Sequence, residues 1–130
     1  MPRKKACLLM PSGPKQDLAR KHLFILLCDP VTQEQKVLLA TISSVKPDRE
    51  YDDTCILEAG DHRFIKKKSY VVYALCRILT QEQLENGVRQ GVFVPRDPID
   101  DALLARILDG LMQSPYTPPM IKDFYTTHVI

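Results

Sequence analysis

Histidine side chains are the first candidates for chemistry in this sequence, and the chain has only three. His22 opens an apolar run, His62 lies in a turn beside Asp61, and His128 belongs to a proline-rich C-terminal segment. An imidazole can accept or donate a proton near neutral pH, so His22 and His62 are the candidates for acid–base chemistry. A surface turn histidine without a chemical role is the alternative for His62.

Basic side chains cluster in sequence near both of these histidines. Cations at such places can contact phosphate groups. Consecutive lysines also occur as solvated strand edges that discourage sheet-to-sheet pairing, and this is the alternative for the lysine run. The basic residues concerned are Lys15, Arg20, Lys21, Arg63, Lys66, Lys67 and Lys68.

The sequence lacks several familiar catalytic motifs: it has no GxxxxGK[ST] loop, no GxSxG elbow and no HExxH helix. Asp52 and Asp53 are adjacent, and on an extended chain their carboxylates diverge. We therefore expect no metal and no cofactor, which leaves metal-free chemistry on a phosphodiester or simple binding. RNA cleavage of this kind needs a base for the 2′-hydroxyl, a cation for the phosphoryl charge and an acid for the departing 5′-oxygen.

Composition favours one soluble domain, since 45% of the 130 residues are apolar and 26% are charged. Residues 1–79 carry 14 Lys and Arg against 9 Asp and Glu, whereas residues 80–130 carry 4 against 7. A basic first part is compatible with an anionic partner. No apolar run is long enough for a membrane span or a signal peptide, so we expect a cytoplasmic protein that does not enter a membrane.

The four cysteines are expected to be reduced and buried. Each lies in or beside an apolar run, and no CxxC pair occurs. Small buried hydrophobes on strands are therefore the preferred interpretation, with no zinc site. They are Cys7, Cys28, Cys55 and Cys76.

Apolar runs separated by turn residues, with no helix between them, predict an antiparallel sheet or small barrel over residues 1–79. The expected strands cover residues 6–10, 22–28, 36–44, 54–58 and 69–79, and the lysine run is expected on a strand. Tyr70 and Tyr73 are three apart in the last run and should face opposite sides. One belongs to the core, and Tyr70 is our candidate for stacking on a base, with ordinary packing as the alternative.

Helix signals dominate the chain after residue 79. Thr80 and Gln83 form a capping box, and Asp97 followed by Pro98 predicts the start of a second, amphipathic helix. Residues 114–130 are expected to lie along a surface or to bind a partner as an extended segment. The prediction is thus a single α+β domain with a β-barrel part (1–79), a helical part (80–113) and a proline-rich tail (114–130).

Four segments in this order resemble the MazF/PemK-like family of toxin endoribonucleases. They are "CLLMPSG", "RKHLFILL", "VLLATISS" and "KKKSYVVYALCRILTQEQL", within Cys7 to Leu84. The resemblance implies an SH3-like barrel, a homodimer, metal-independent cleavage of single-stranded RNA and neutralisation by an antitoxin protein. By position, the family's Arg falls on Lys21, with Arg20 beside it, and its Thr/Ser falls on Ser43. The family's Pro is replaced by His22, and a lysine cannot grip phosphate bidentately as arginine does.

The leading hypothesis is therefore a small endoribonuclease. His62 or His22 would be the acid or base, Arg20 and Lys21 would stabilise the phosphorane, and Ser43 would donate a hydrogen bond. Flanking phosphates would contact the other basic residues, Lys15, Arg63, Lys66, Lys67 and Lys68. The competing hypothesis is a non-catalytic barrel module that binds a protein or nucleic-acid partner through its apolar helix and tail. A DNA-binding regulator is disfavoured because no expected helix carries a basic face.

Overall fold

The computed structural model describes residues 2–11 and 21–130. Antiparallel strands dominate the first part of the chain, and helices dominate the second. The strands are β1 (Cys7–Pro11), β2 (Lys21–Leu26), β3 (Lys36–Ser44), β4 (Ile56–Leu57), β5 (Ser69–Val71), β6 (Arg77–Thr80) and β7 (Val94–Arg96). The α-helices are α1 (Gln81–Arg89), α2 (Asp101–Gln113) and α3 (Pro119–Phe124). The expected α+β class, a small antiparallel barrel-like sheet followed by helices, is confirmed.

Strand β3 is the centre of the sheet. The strands follow the order β4-β5-β3-β2-β1-β7, and β6 also pairs with β3. The first half of β3 pairs with β6, its middle with β2 and its last three residues with β5, all antiparallel. Nine residues therefore hold three neighbouring strands in register, and both ends of β3 are fixed by strands that come later in the sequence.

The run 69–79 is not the single strand expected from the sequence. A 3₁₀ turn (Tyr73–Leu75) divides it into β5 and β6. At this turn the Tyr73 side chain is fully buried and its hydroxyl donates a 2.7 Å hydrogen bond to the Ile107 carbonyl of α2. The ring is buried by a tertiary contact with a helix, and β-propensity, which is a local property, does not predict such a contact. The lysine run 66–68 also lies outside the strands, in the irregular segment before β5.

The predicted helix starts are right in one case and wrong in the other. The Thr80–Gln83 capping box of α1 is confirmed. Helix α2 begins three residues later than expected, because the side chain of Asp100, not of Asp97, accepts the hydrogen bond from the Leu103 amide.

The extended conformation expected for residues 114–130 is wrong over most of their length. Helix α3 and a π-helical segment (Tyr125–Val129) follow Pro118, and Ile121 and Phe124 are buried in the core. Proline at the first position of α3 is compatible with a helix because no intrahelical partner is needed for its missing N–H.

Both faces of the central strands are buried, which explains their uninterrupted apolar sequences. Alternate residues of β2 point to opposite sides: Leu23 and Ile25 belong to the core under α2 and α3, and Phe24 and Leu26 belong to a smaller core under α1. All four cysteines are free and buried, as predicted, but only Cys7 lies on a strand; Cys28, Cys55 and Cys76 lie just outside β2, β4 and β6. Within the described residues, no helix is both long enough and apolar enough to cross a membrane.

Candidate anion-binding site

A cavity of about 320 Å³ opens where the start of β2 meets the end of β3 and the segment before β5. Cationic and hydroxyl-bearing side chains make up most of its wall. The lining residues are Lys21, His22, Leu23, Ile42, Ser43, Ser44, Lys46, Phe64, Ile65, Lys66, Lys67 and Ser69. We call this the basic cavity.

The antiparallel sheet accounts for this assembly of residues that are distant in sequence. Strand β3 runs opposite to β2, with Thr41 opposite Phe24, so the end of β3 (Ser43 and Ser44) and the start of β2 (Lys21 and His22) reach the same cavity. On the other edge of β3, Ser44 is paired with Ser69 of β5, which follows the lysine run directly. Strand order and register therefore bring three separate segments to one site.

Two hydrogen bonds fix the chain that carries the lysines. The Ser69 hydroxyl donates to the Lys67 carbonyl at 2.9 Å, and the Val45 amide donates to the Lys68 carbonyl at 3.0 Å. The second bond ties this segment to the residue that follows β3. The main chain at 67–69 is thus held in place while the lysine side chains remain exposed.

The electrostatic character of the cavity is positive. Lysines 21, 46, 66 and 67 contribute four ammonium groups, and no aspartate or glutamate occurs among the described residues that line it. Lys21, Ser43 and Ser44 are half-buried, so water screens their interactions with a ligand less than it would at a fully exposed site. Ammonium and hydroxyl donors of this kind suit a phosphate or another oxyanion.

Five of the residues predicted from the sequence come together in this cavity: Lys21, His22, Ser43, Lys66 and Lys67. The structure does not extend this grouping to the others. Lys15 and Arg20 lie outside the described residues, and Lys68 is exposed in the same segment but does not line the cavity. His62, Arg63 and Tyr70 lie at other cavities.

His62 and Arg63 line an adjacent cavity of about 660 Å³, together with Phe64, Pro95, Arg96 and Asp97. The His62 ring is buried and both of its nitrogens are engaged: Nδ1 accepts from the Phe64 amide at 3.0 Å, and Nε2 lies 2.6 Å from the Asp97 carbonyl. Because a carbonyl only accepts, Nε2–H is the donor in this contact. The Arg63 guanidinium binds the Asp97 carboxylate at 2.9 Å and lowers the pKa of that carboxyl. The contacts of His62 and Arg63 thus connect the turn before β5 to Asp97, which precedes α2.

Tyr70 lines a third cavity, of about 520 Å³, whose character is acidic and aromatic. Its ring packs against that of Tyr51 with centroids 5.0 Å apart. Glu50, Asp52 and Asp53 lie in the same wall. Carboxylates repel phosphate, so the surroundings of Tyr70 are unfavourable for contact with an RNA backbone.

Four polar or aromatic residues of the basic cavity were not predicted from the sequence: Ser44, Lys46, Phe64 and Ser69. Lys46 follows the end of β3 by two residues, and the antiparallel order alone places that position near the start of β2. Phe64 is an aromatic residue that directly follows Arg63 and precedes Lys66 by two positions, which is a usable signal for nucleic-acid contact. The Ser69 hydroxyl donates a hydrogen bond to the main-chain carbonyl of Lys67, and no sequence signal identifies such a role.

Among the residues that the structure describes, no group of three or more His, Cys, Asp or Glu side chains is arranged to hold a metal ion. Comparison of the sequence with protein-family models and with curated proteins finds no match.

Proposed function

We propose that the basic cavity binds the sugar–phosphate backbone of single-stranded RNA and promotes its cleavage by attack of the 2′-hydroxyl. The observation that carries this proposal is that Lys21, His22 and Ser43 line one cavity together with Lys66 and Lys67. These are the residue types that metal-independent RNA cleavage requires: a proton acceptor, cations and hydroxyl donors.

Each residue then has a defined task. His22 accepts the proton of the 2′-hydroxyl as that oxygen forms its bond to phosphorus. Lys21 and the Ser43 hydroxyl stabilise the charge that develops on the non-bridging oxygens. As the bond to the 5′-oxygen breaks, a lysine ammonium gives its proton to that leaving group. The products are a 2′,3′-cyclic phosphate and a free 5′-hydroxyl, with the proton passed from His22 to the lysine through solvent before the next turnover.

His62 has no proton-transfer role in this proposal. Its two ring nitrogens are engaged with main-chain groups, and it lines the neighbouring cavity. Lys46, Lys66 and Lys67 are exposed at the mouth and bind flanking phosphates. Binding by these groups is insensitive to sequence and weakens as salt concentration rises.

The test is incubation of the purified protein with a 5′-labelled single-stranded RNA in the presence of EDTA. We expect fragments that end in a 2′,3′-cyclic phosphate, and we expect His22→Ala to abolish them. His128→Ala is the matched control, because His128 is exposed on the π-helical segment and does not line the basic cavity. Intact RNA over a wide range of protein concentration contradicts the cleavage step.

A non-catalytic interaction module is the second candidate function, and one observation favours it. A mainly apolar groove of about 490 Å³ lies between β1, β7 and α1, with Leu8, Leu84, Val88 and Pro95 in its wall. Val88 is 39% exposed there. Absence of RNA cleavage over a wide range of protein concentration, with the wild-type protein and His22→Ala alike, favours this module over the enzyme.

The biological role that goes with cleavage is that of a cytoplasmic toxin, acting as a homodimer and held inactive by an antitoxin protein. Its support is the sequence resemblance described above together with the composition of the basic cavity. Induced expression in a bacterium tests it. We expect growth arrest by the wild type and normal growth with His22→Ala at equal protein level, whereas equal growth of both strains contradicts the toxin role.

A further inference from the structure

Phe64 is a large aromatic side chain at the edge of the basic cavity, and 41% of its surface is exposed. It lines both this cavity and the adjacent one that contains Arg63 and Arg96. An aromatic ring exposed among cationic groups adds little to the packing of the hydrophobic core. A ring in this position offers a surface for a ligand that is flat, apolar and attached to an anion.

The main chain on both sides of Phe64 is anchored. On one side, the buried His62 accepts the Phe64 amide hydrogen at Nδ1, and its own Nε2–H donates to the Asp97 carbonyl. On the other side, Ile65 is 4% exposed, and its amide and carbonyl bond to His62 and Gly60. Phe64 is thus an exposed residue between two buried ones, on a chain segment whose position is fixed.

We propose that Phe64 is a stacking surface for an unpaired nucleobase, held in position by His62, while Lys66 and Lys67 contact the phosphates of the same strand. This inference rests on the proposed RNA binding and adds the base contact to it. Single-stranded nucleic acid is recognised by aromatic rings next to a cationic track, because every base has a flat face and every nucleotide a phosphate. The site would therefore prefer unpaired over duplex RNA.

Binding of a fluorescent 2′-O-methyl oligonucleotide tests the base contact without cleavage, since the 2′-oxygen is blocked. Phe64→Ala and Phe64→Leu should each weaken binding by about fivefold to 100-fold, whereas Phe64→Trp should keep it. The dependence of affinity on salt should not change in these variants, because no phosphate contact is lost. Lys66→Ala is the comparison, and it should reduce the salt dependence.

The positioning role of His62 has its own readout. The chain contains no tryptophan, so Phe64→Trp provides a single indole whose fluorescence should be quenched by a stacked base. Adding His62→Ala should weaken that quenching at saturating oligonucleotide, and His62→Asn, which keeps an acceptor for the residue 64 amide, should restore it in part.

Two results separate the possible failures. Wild-type affinity in Phe64→Leu, with weaker binding in Lys66→Ala, overturns the stacking surface and leaves the phosphate site intact. No binding of the oligonucleotide by the wild-type protein overturns the RNA-binding proposal itself, and the base contact with it.

Discussion

The hydroxyl of Tyr73 donates a 2.7 Å hydrogen bond to the carbonyl of Ile107 and thereby joins the sheet to α2. Gly110 lies three residues further along this helix, and a Cβ atom at that position would overlap the Tyr73 hydroxyl. Glycine lowers the stability of a helix interior by about 1 kcal/mol relative to alanine. Its presence here is explained by the close approach of the tyrosine.

Tyr73 and Gly110 should therefore be coupled energetically. Tyr73→Phe should lower the free energy of unfolding by about 1 kcal/mol, the net value of a typical hydrogen bond. Gly110→Ala should also destabilise the protein, despite alanine's better helix propensity, and should cost less in the Tyr73→Phe background. Urea denaturation of the four proteins measures this. Strictly additive changes would contradict the coupling.

Lysine side chains that line the basic cavity should control the salt dependence of RNA binding. If Lys66 and Lys67 each neutralise one phosphate, each alanine substitution should reduce the slope of log affinity against log salt by about 0.7 for a single strand. Fluorescence anisotropy with the blocked oligonucleotide gives this slope. Lys68→Ala is the matched control, since Lys68 is exposed in the same segment outside the cavity wall. Equal slopes for all three variants would contradict the assignment.

The two aspartates before α2 should differ in their effect on stability. Asp100 accepts the Leu103 amide at 2.8 Å, so Asp100→Ala should lower the free energy of unfolding by about 1 kcal/mol. Asp97 makes an exposed ion pair with Arg63, so Asp97→Ala should lower the free energy of unfolding much less than Asp100→Ala does. Chemical denaturation at neutral pH compares them. A larger loss in Asp97→Ala would show that the cap lies at the earlier aspartate.

Stability should fall at alkaline pH because of the buried thiols. Burial raises the pKa of Cys7 and of Cys76 from 9.0 to about 12. The unfolded chain therefore releases these protons first, so their contribution is fully present below pH 9 and is lost as pH rises towards 12. Urea midpoints between pH 8 and 11 measure this. The decrease should be smaller in Cys76→Ala than in the wild type, and an identical decrease would contradict it.

Sequence patterns predicted the central sheet well because burial on both faces leaves long apolar runs. Strand β3 was predicted with its observed limits, 36–44. Strand β7 (Val94–Arg96) was missed: it has three residues, it contains a proline, and it lies at the edge beside β1, where a proline is tolerated. The helical tail was missed because two adjacent prolines indicate an extended chain, although the second one begins α3.

The candidate site was predictable only where strand order alone determines it. Lys21, His22 and Ser43 follow from the antiparallel arrangement of β2 and β3. His62 does not, because its position depends on the Asp97 carbonyl, 35 residues away in sequence. No local pattern indicates which main-chain group a turn histidine will contact.

The placement of strand β3 has a consequence for the newly made polypeptide. One side of this strand stays unpaired until residues 69–80 have left the ribosome, and the main core lacks Ile121 and Phe124 until later still. Contacts between such distant parts of a chain form slowly. The nascent chain therefore exposes an unpaired strand edge, prone to pairing with other chains, from the emergence of β3 until β6 follows, and its main core stays incomplete until α3 has emerged.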